Sequence, residues 1–315
     1  MRISVTTMKQ IFAITLFFAA LICASVAAGL DTTRIDELTG LKGKMNEKEG
    51  VYKVTFPRND VKVVVDGWTM PPFMGLGTWA AFTKGAHTEA MVMGDTVLFE
   101  DEVNAAMSAA LDNGLNVTAL HNHFFFDQPK VYFMHIEGEG SVEKLASAVK
   151  KMYDTTKAIR GPSAKPAASF PTPGQGPLPE KSSITAAPLN DIFGMQGEAK
   201  DGMVKFTIGR PAKMHDVKID KDMGVNTWAA FAGSDDNAVV DGDFAVTEDE
   251  LQPVLRSLLD NKINIVAIHQ HMTYEEPRIM FFHYWGRGRA KDLANAVKGG
   301  FLVGGLLKVS SPLQN

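Results

Sequence analysis

The chain repeats itself, and whatever fold it adopts must be built twice. Gly77-Thr78-Trp79-Ala80-Ala81-Phe82 returns as Asn226-Thr227-Trp228-Ala229-Ala230-Phe231, and Glu100-Asp101-Glu102-Val103 as Glu248-Asp249-Glu250-Leu251. Leu145-Ala146-Ser147-Ala148-Val149-Lys150 returns as Leu293-Ala294-Asn295-Ala296-Val297-Lys298. From residue 94 onward the two copies keep a constant offset of 148, and the insertions and deletions lie upstream. Two copies of roughly 120 residues each have ordinary domain size, and the period is too long for a solenoid. The expected division is a first repeat over 31–160, a Pro-rich linker over 161–185 and a second repeat over 186–312. Residues 161–180 hold six prolines with Gly and Ser, a composition that stays extended and builds little core.

Six of the eight histidines fall at matching places in the two copies. His121, His123 and His135 form one triplet, and His269, His271 and His283 the other. Each reads His-x-His, then a third His twelve residues on, with Pro129 or Pro277 between. Imidazole is the commonest metal ligand and titrates near neutrality.

Within each copy the pattern predicts strands, a helix, a hairpin and a closing helix. Val51–Phe56, Val61–Val65 and the segment around Trp79 read as strands. Asp101–Leu111 reads as a helix with Val103, Met107, Ala110 and Leu111 on one face, and its second copy opens on the capping-box pattern Thr247-x-x-Glu250. Val117–Phe125 and Val131–Ile136 read as the hairpin, and Ser141 to about Ile159 as the closing helix. The expected class is α+β, each copy an antiparallel sheet with helices and a His-bearing hairpin.

The hairpin gives the histidine spacing its meaning. Residues i and i+2 of a strand share a face, so His121 and His123 point the same way. A turn centred on Gln128 sets His121 directly opposite His135, and one centred on Glu276 does the same in the second copy. A slip of one residue would send the third His to the other face. Three imidazoles on one face with an open position suit a divalent transition metal, zinc first, with manganese, iron, nickel or copper also compatible. Asp127 and Glu275, each four residues after the second His of its triplet, are the candidate carboxylates, as ligand, orienting group or catalytic acid/base. Two readings compete with a metal site: a hydrogen-bonded histidine cluster in the core, and histidine acting as acid or base without metal. Trp79 and Trp228 read either as buried strand aromatics or as pocket walls beside the metal.

The N-terminus carries Arg2 and Lys9, an apolar run from Ile11 to Cys23, and small residues at Ser25-Val26-Ala27. This predicts a signal peptide over residues 1–27 and a periplasmic or secreted protein, with no membrane span left once it is removed. Ile22 before Cys23 is too large for a lipid-attachment site. Cys23 is the single cysteine, so a processed chain would hold no disulfide. The formal charge is −4 and no basic run occurs, which argues against nucleic acid as a partner. The expected partners are a metal ion and a small-molecule or cell-envelope ligand.

The block Val117-Thr118-Ala119-Leu120-His121-Asn122-His123 with Pro129 and His135, the Thr-Trp-Ala-Ala-Phe segment and Met93-Gly94-Asp95-Thr96-Val97-Leu98 resemble the LppY/LpqO-type family of secreted bacterial proteins. That resemblance implies an exported, duplicated protein and no particular activity. A looser similarity, in histidine spacing and duplication alone, is to acetolactate decarboxylase and the plant-and-prokaryote conserved domain, which gather zinc on such histidines. It implies a metal-dependent lyase or hydrolase as the alternative to a pure metal-binding protein; a metal-free envelope-binding module is the third expectation.

Overall fold

The computed structural model describes residues 29–170 and 176–307. The expected signal peptide and Cys23 lie outside the described residues. The first copy contains α1 (Thr32–Thr39), β1 (Lys44–Asn46), β2 (Val51–Pro57), β3 (Val64–Val65), β4 (Trp68–Thr69), β5 (Gly77–Lys84), β6 (Ala90–Phe99), α2 (Val103–Asp112), β7 (Asn116–His121), β8 (Asp127–Gln128), β9 (Val131–Gly140) and α3 (Val142–Arg160). The second follows the same order with α4 (Ala186–Phe193), β10 (Glu198–Lys200), β11 (Met203–Gly209), β12 (Ala212–Met214), β13 (Val217–Ile219), β14 (Asn226–Gly233), β15 (Ala238–Thr247), α5 (Glu248–Asp260), β16 (Asn264–His269), β17 (Glu275–Glu276), β18 (Ile279–Gly288) and α6 (Ala290–Val303). The protein is α+β, as the repeat pattern implies.

The two copies share one 12-stranded antiparallel sheet in the order β1-β2-β5-β6-β9-β7-β16-β18-β15-β14-β11-β10. The order is a palindrome of the repeat, with the seam between β7 and β16, where Leu120 pairs with Ile268. The linker therefore connects halves that are already joined by backbone pairing. Their buried apolar residues form one main cluster, running from Ile35 and Val54 through Leu120 and Ile268 to Phe301. Strand alternation explains the layering: Leu120, Met134 and Ile136 face the helices, and the residues between them face away. On that opposite face lie two small apolar clusters, one containing Val97, Phe99, Val131 and Phe133, the other Ala245, Ile279 and Phe281.

Each seam strand carries a bulge, between Val117 and Ala119 in β7 and between Ile265 and Ala267 in β16. A bulge leaves backbone groups out of the ladder. Beside each bulge the other copy bonds backbone groups of the seam strand. Asn104 on α2 accepts from the Ile265 N–H at 2.7 Å through Oδ1, while Gln252 on α5 accepts from the Val117 N–H at 2.8 Å and donates to the Val117 carbonyl at 2.9 Å. Asn104 and Gln252 are equivalent positions, so each half pins the other half's histidine strand.

The helix ends follow the sequence. Ser141 caps α3 by accepting from the Lys144 N–H, and the Thr247–Glu250 capping box is formed at α5. The hairpin differs from expectation. His135 pairs with Ala119 and His121 with Phe133, so His121 is the diagonal rather than the direct neighbour of His135. The cause is the chain leaving the ladder after His121 so that Asp127–Gln128 can pair with Val64–Val65. β17 does the same with β12. The register moves by two residues, an even shift, and the third histidine keeps its face.

Candidate metal centre

On the face away from the helices, each copy gathers four donors from neighbouring strands. In the second copy His283 on β18 pairs across the ladder with Asp243 on β15; in the first, His135 on β9 pairs with Asp95 on β6. His269 and His121 end the next strand over, and His271 and His123 follow in the loop. The second histidine of each triplet lies flat on a phenylalanine, His123 on Phe133 at 3.4 Å between ring centroids and His271 on Phe281 at 3.6 Å. The small apolar clusters on this face thus serve as floors that fix the rings.

Hydrogen bonds settle the ring tautomers in the second copy. His271 Nδ1 lies 3.0 Å from the Gly224 carbonyl and His283 Nδ1 lies 3.1 Å from the Gly242 carbonyl. A carbonyl only accepts, so Nδ1 donates and the Nε2 lone pair is left free, the arrangement metal-bound imidazoles use. His271 Nε2 stands 3.3 Å from Asp243 Oδ2, and His269 Nε2 stands 4.0 Å from Oδ1. One ligand atom from each of Asp243, His269 and His271 falls within 4.8 Å of the others. Asp243 Oδ1 and His269 Nε2 are buried without a hydrogen-bond partner, and Asp95 Oδ1 is in the same condition in the first copy. Buried polar atoms left unsatisfied cost free energy, and in the second copy two of them belong to a His/Asp group whose ligand atoms lie close enough together to hold a metal ion.

The spacing fits that partner. Two donors each about 2.0–2.1 Å from a tetrahedral zinc lie roughly 3.3 Å apart. Asp243 and His271 are at that distance, and His121 Nε2 and His135 Nε2 approach to 3.1 Å. The electrostatics are consistent. Burial pushes the Asp243 carboxyl up to about 7 and holds His269 down at about 4. Burial also raises Asp95 above the usual carboxylate range and lowers His123 and His271. His123, His269 and His271 are thereby biased toward the neutral form that binds metal.

The six histidines named from the sequence are therefore brought together in two groups of three. Asp127 and Glu275 are placed elsewhere. Asp127 is buried in its loop, where Oδ2 accepts from the Val131 N–H at 2.7 Å and Oδ1 from Lys130 at 3.1 Å. Glu275 Oε1 accepts from the Ile279 N–H at 3.2 Å. Both close the loop that leads into the third histidine's strand. The carboxylates beside the rings are Asp95 and Asp243. Their signal was a Gly-Asp pair kept at the 148 offset, Gly94-Asp95 and Gly242-Asp243. Trp79 pairs across the ladder with Asp95 and Trp228 with Asp243, which puts both indoles on the histidine face.

No functionally curated protein matches the chain. Among solved structures, the trimeric bacterial microcompartment shell protein PduB is 10% identical, covering 83% of this chain and 89% of that chain, with a TM-score of 0.22. The double ringed trimeric shell protein MSM0271 from the RMM microcompartment is 12% identical, covering 81% and 98%, with a TM-score of 0.18. TM-scores this low carry no argument about fold or assembly. The match that does bear on identity is to a family model, met twice, over residues 33–155 and 187–301, and on it the chain belongs to the family described as Domain of Unknown Function (DUF1259).

Proposed function

We propose that this protein binds one divalent transition metal in each half, through Asp95, His121, His123 and His135 in the first and Asp243, His269, His271 and His283 in the second. Zinc suits the nitrogen-rich donor set best; manganese, iron, nickel and copper are the competitors for it. The single observation that carries the reading is the convergence of the buried, unpartnered Asp243 Oδ1 and His269 Nε2 with His271. Elemental analysis of the purified protein tests it. Metal should be lost from the second half in a His269→Ala/His271→Ala variant and from the first in His121→Ala/His123→Ala. Metal content that neither variant changes would refute it.

The second reading is a metal-dependent lyase or hydrolase. It is supported by the exposure of His123 and His271 on an open face with an indole wall nearby, where a substrate could reach the metal. In that case Asp95 and Asp243 are better placed than Asp127 and Glu275 to handle protons beside the metal. A screen of 2-keto acids, 2-hydroxy acids, esters and amides with the metal-loaded protein separates catalysis from binding alone. Export to the periplasm or beyond is proposed on the basic and apolar N-terminal residues, and kinship with the LppY/LpqO-type proteins on the motifs quoted above. Among the described residues no helix is long and apolar enough to cross a membrane.

A further inference from the structure

A second duplicated feature lies beside each metal centre. Lys53 on β2 pairs with Ala81 and Lys205 on β11 pairs with Ala230, each the diagonal neighbour of the tryptophan on the adjoining strand. The Lys53 ammonium rests 3.9 Å from the Trp79 ring centroid, and that of Lys205 rests 4.3 Å from Trp228. Each half thus lays out, from strand to strand across one face, a cation, an indole, an aspartate and a histidine.

A lysine stem laid over a tryptophan is common surface packing. Three observations go beyond it. The pair survives in both copies, at matching register, although neighbouring positions diverged: Met93 faces Asp241 and Glu137 faces Trp285 in the repeat alignment. Among the described residues neither ammonium forms an ion pair, in a chain with more acids than bases. The indole also holds the solvent-exposed ammonium over the strand next to the aspartate's.

The charge balance then decides the class of ligand. A divalent cation held by one carboxylate and neutral imidazoles keeps a positive charge in excess, and the ammonium adds another. An apolar, polarisable wall lies between them. Resting on the metal reading above, we propose that each half binds a small oxyanion-bearing molecule, with one oxygen on the metal, another on Lys53 or Lys205, and its carbon body against Trp79 or Trp228.

The test uses the full chain loaded with Co²⁺, whose visible absorption reports changes at the metal. Oxalate is titrated in one arm and inorganic phosphate in the other, with metal content measured in each sample. Saturable spectral change is expected with at least one anion, and the tighter of the two tells carboxylate from phosphate chemistry. Lys53→Met/Lys205→Met, which keeps the aliphatic stem on the indole, should weaken that anion about tenfold or more while Co²⁺ content stays the same. Lys53→Arg/Lys205→Arg should restore most of the affinity. Metal-loaded protein in which neither anion alters the spectrum, or in which the Met variant binds anion as the parent does, overturns this inference and leaves the metal reading intact. A parent protein that takes up no Co²⁺ overturns both.

Discussion

The two halves hold the same donors at the same register but in different states of readiness. In the second, Asp243 already reaches toward two histidines, and backbone carbonyls fix the tautomers of His271 and His283. In the first, His121 and His135 meet each other at 3.1 Å. The surroundings differ as well. Asp241 stands near Asp243 and adds to the rise that burial imposes on it, where the first half has Met93. The backbone around the second aspartate is also tighter. A Cβ on Gly242 would fall 2.2 Å from the Tyr284 ring and 2.3 Å from the Trp228 carbonyl, whereas one on Gly94 would meet Ile136 and the Trp79 carbonyl at 2.9 Å. The Tyr284 hydroxyl crosses that glycine to donate to Trp228 O at 3.0 Å. Duplication preserved the proposed ligands, and divergence acted on what orients and charges them.

The sharpest way to break this comparison is to remove one aspartate at a time. Asp243→Asn should cost the second half about a hundredfold or more in metal affinity, beyond the 10–100-fold typical of losing an outer-shell partner. Asp95→Asn should leave the second half's affinity unchanged. Calorimetric metal titration of both variants reads this directly, and equal weakening of both halves by either substitution would show that the two centres are not independent.

Next in size are the glycines. Gly242→Ala should destabilise the metal-free protein by about 1–3 kcal/mol through overpacking against Tyr284 and the Trp228 carbonyl, and Gly94→Ala by less, because its closest approaches are longer. Denaturant unfolding measures both. The seam offers a parallel pair. Gln252→Ala strands two backbone groups of Val117, and Asn104→Ala strands one of Ile265. The expected losses lie in the range of about 1–3 kcal/mol, the Gln252 variant at the upper end. Losses near zero in both variants would mean that the seam does not depend on these amides.

The smallest effect is in protons. Asp243, raised to about 7, keeps its proton in the metal-free fold at pH 6, while His269, lowered to about 4, is already neutral there. On metal binding to the second half Asp243 should therefore contribute about one released proton at pH 6 and close to none above pH 8, read as the difference between the parent and Asp243→Asn in titrations in buffers of different ionisation enthalpy. The same shifts act on folding with opposite signs. A carboxyl that holds its proton only in the fold makes metal-free stability fall as pH rises from 3.8 to about 7, and a histidine neutral only in the fold makes it rise from about 4 to 6.5. The two nearly offset each other, so this pair should leave the metal-free protein's stability nearly level across that range.

The sequence made the histidines legible because their duplicated spacing survives a two-residue change of register: side-chain facing depends only on whether the shift is odd or even. It made the helices legible through their caps at Ser141 and Thr247. The aspartates were harder. A lone acidic residue in an alternating strand looks like surface, and only its pairing across the ladder with His135 or His283 brings it to the rings. Asp127 and Glu275 stood out through closeness in the chain, yet a residue on a loop can spend its carboxylate on the loop's own N–H groups, and Val131 and Ile279 take it. The seam was not legible at all. Nothing in Val117–His121 says whether the strand's free edge pairs with its own copy, with the other copy or with none, because that pairing joins residues far apart in sequence.

The most direct measurement is a crystal structure of the zinc-loaded protein with an anomalous scattering scan at the zinc edge. The expected result is two strong peaks per chain, one bounded by Asp95 and its histidines and one by Asp243 and its own, each about 2.0–2.2 Å from a carboxylate oxygen and at least two imidazole nitrogens. Anomalous density absent from both positions, with zinc found only elsewhere on the surface, would contradict the account.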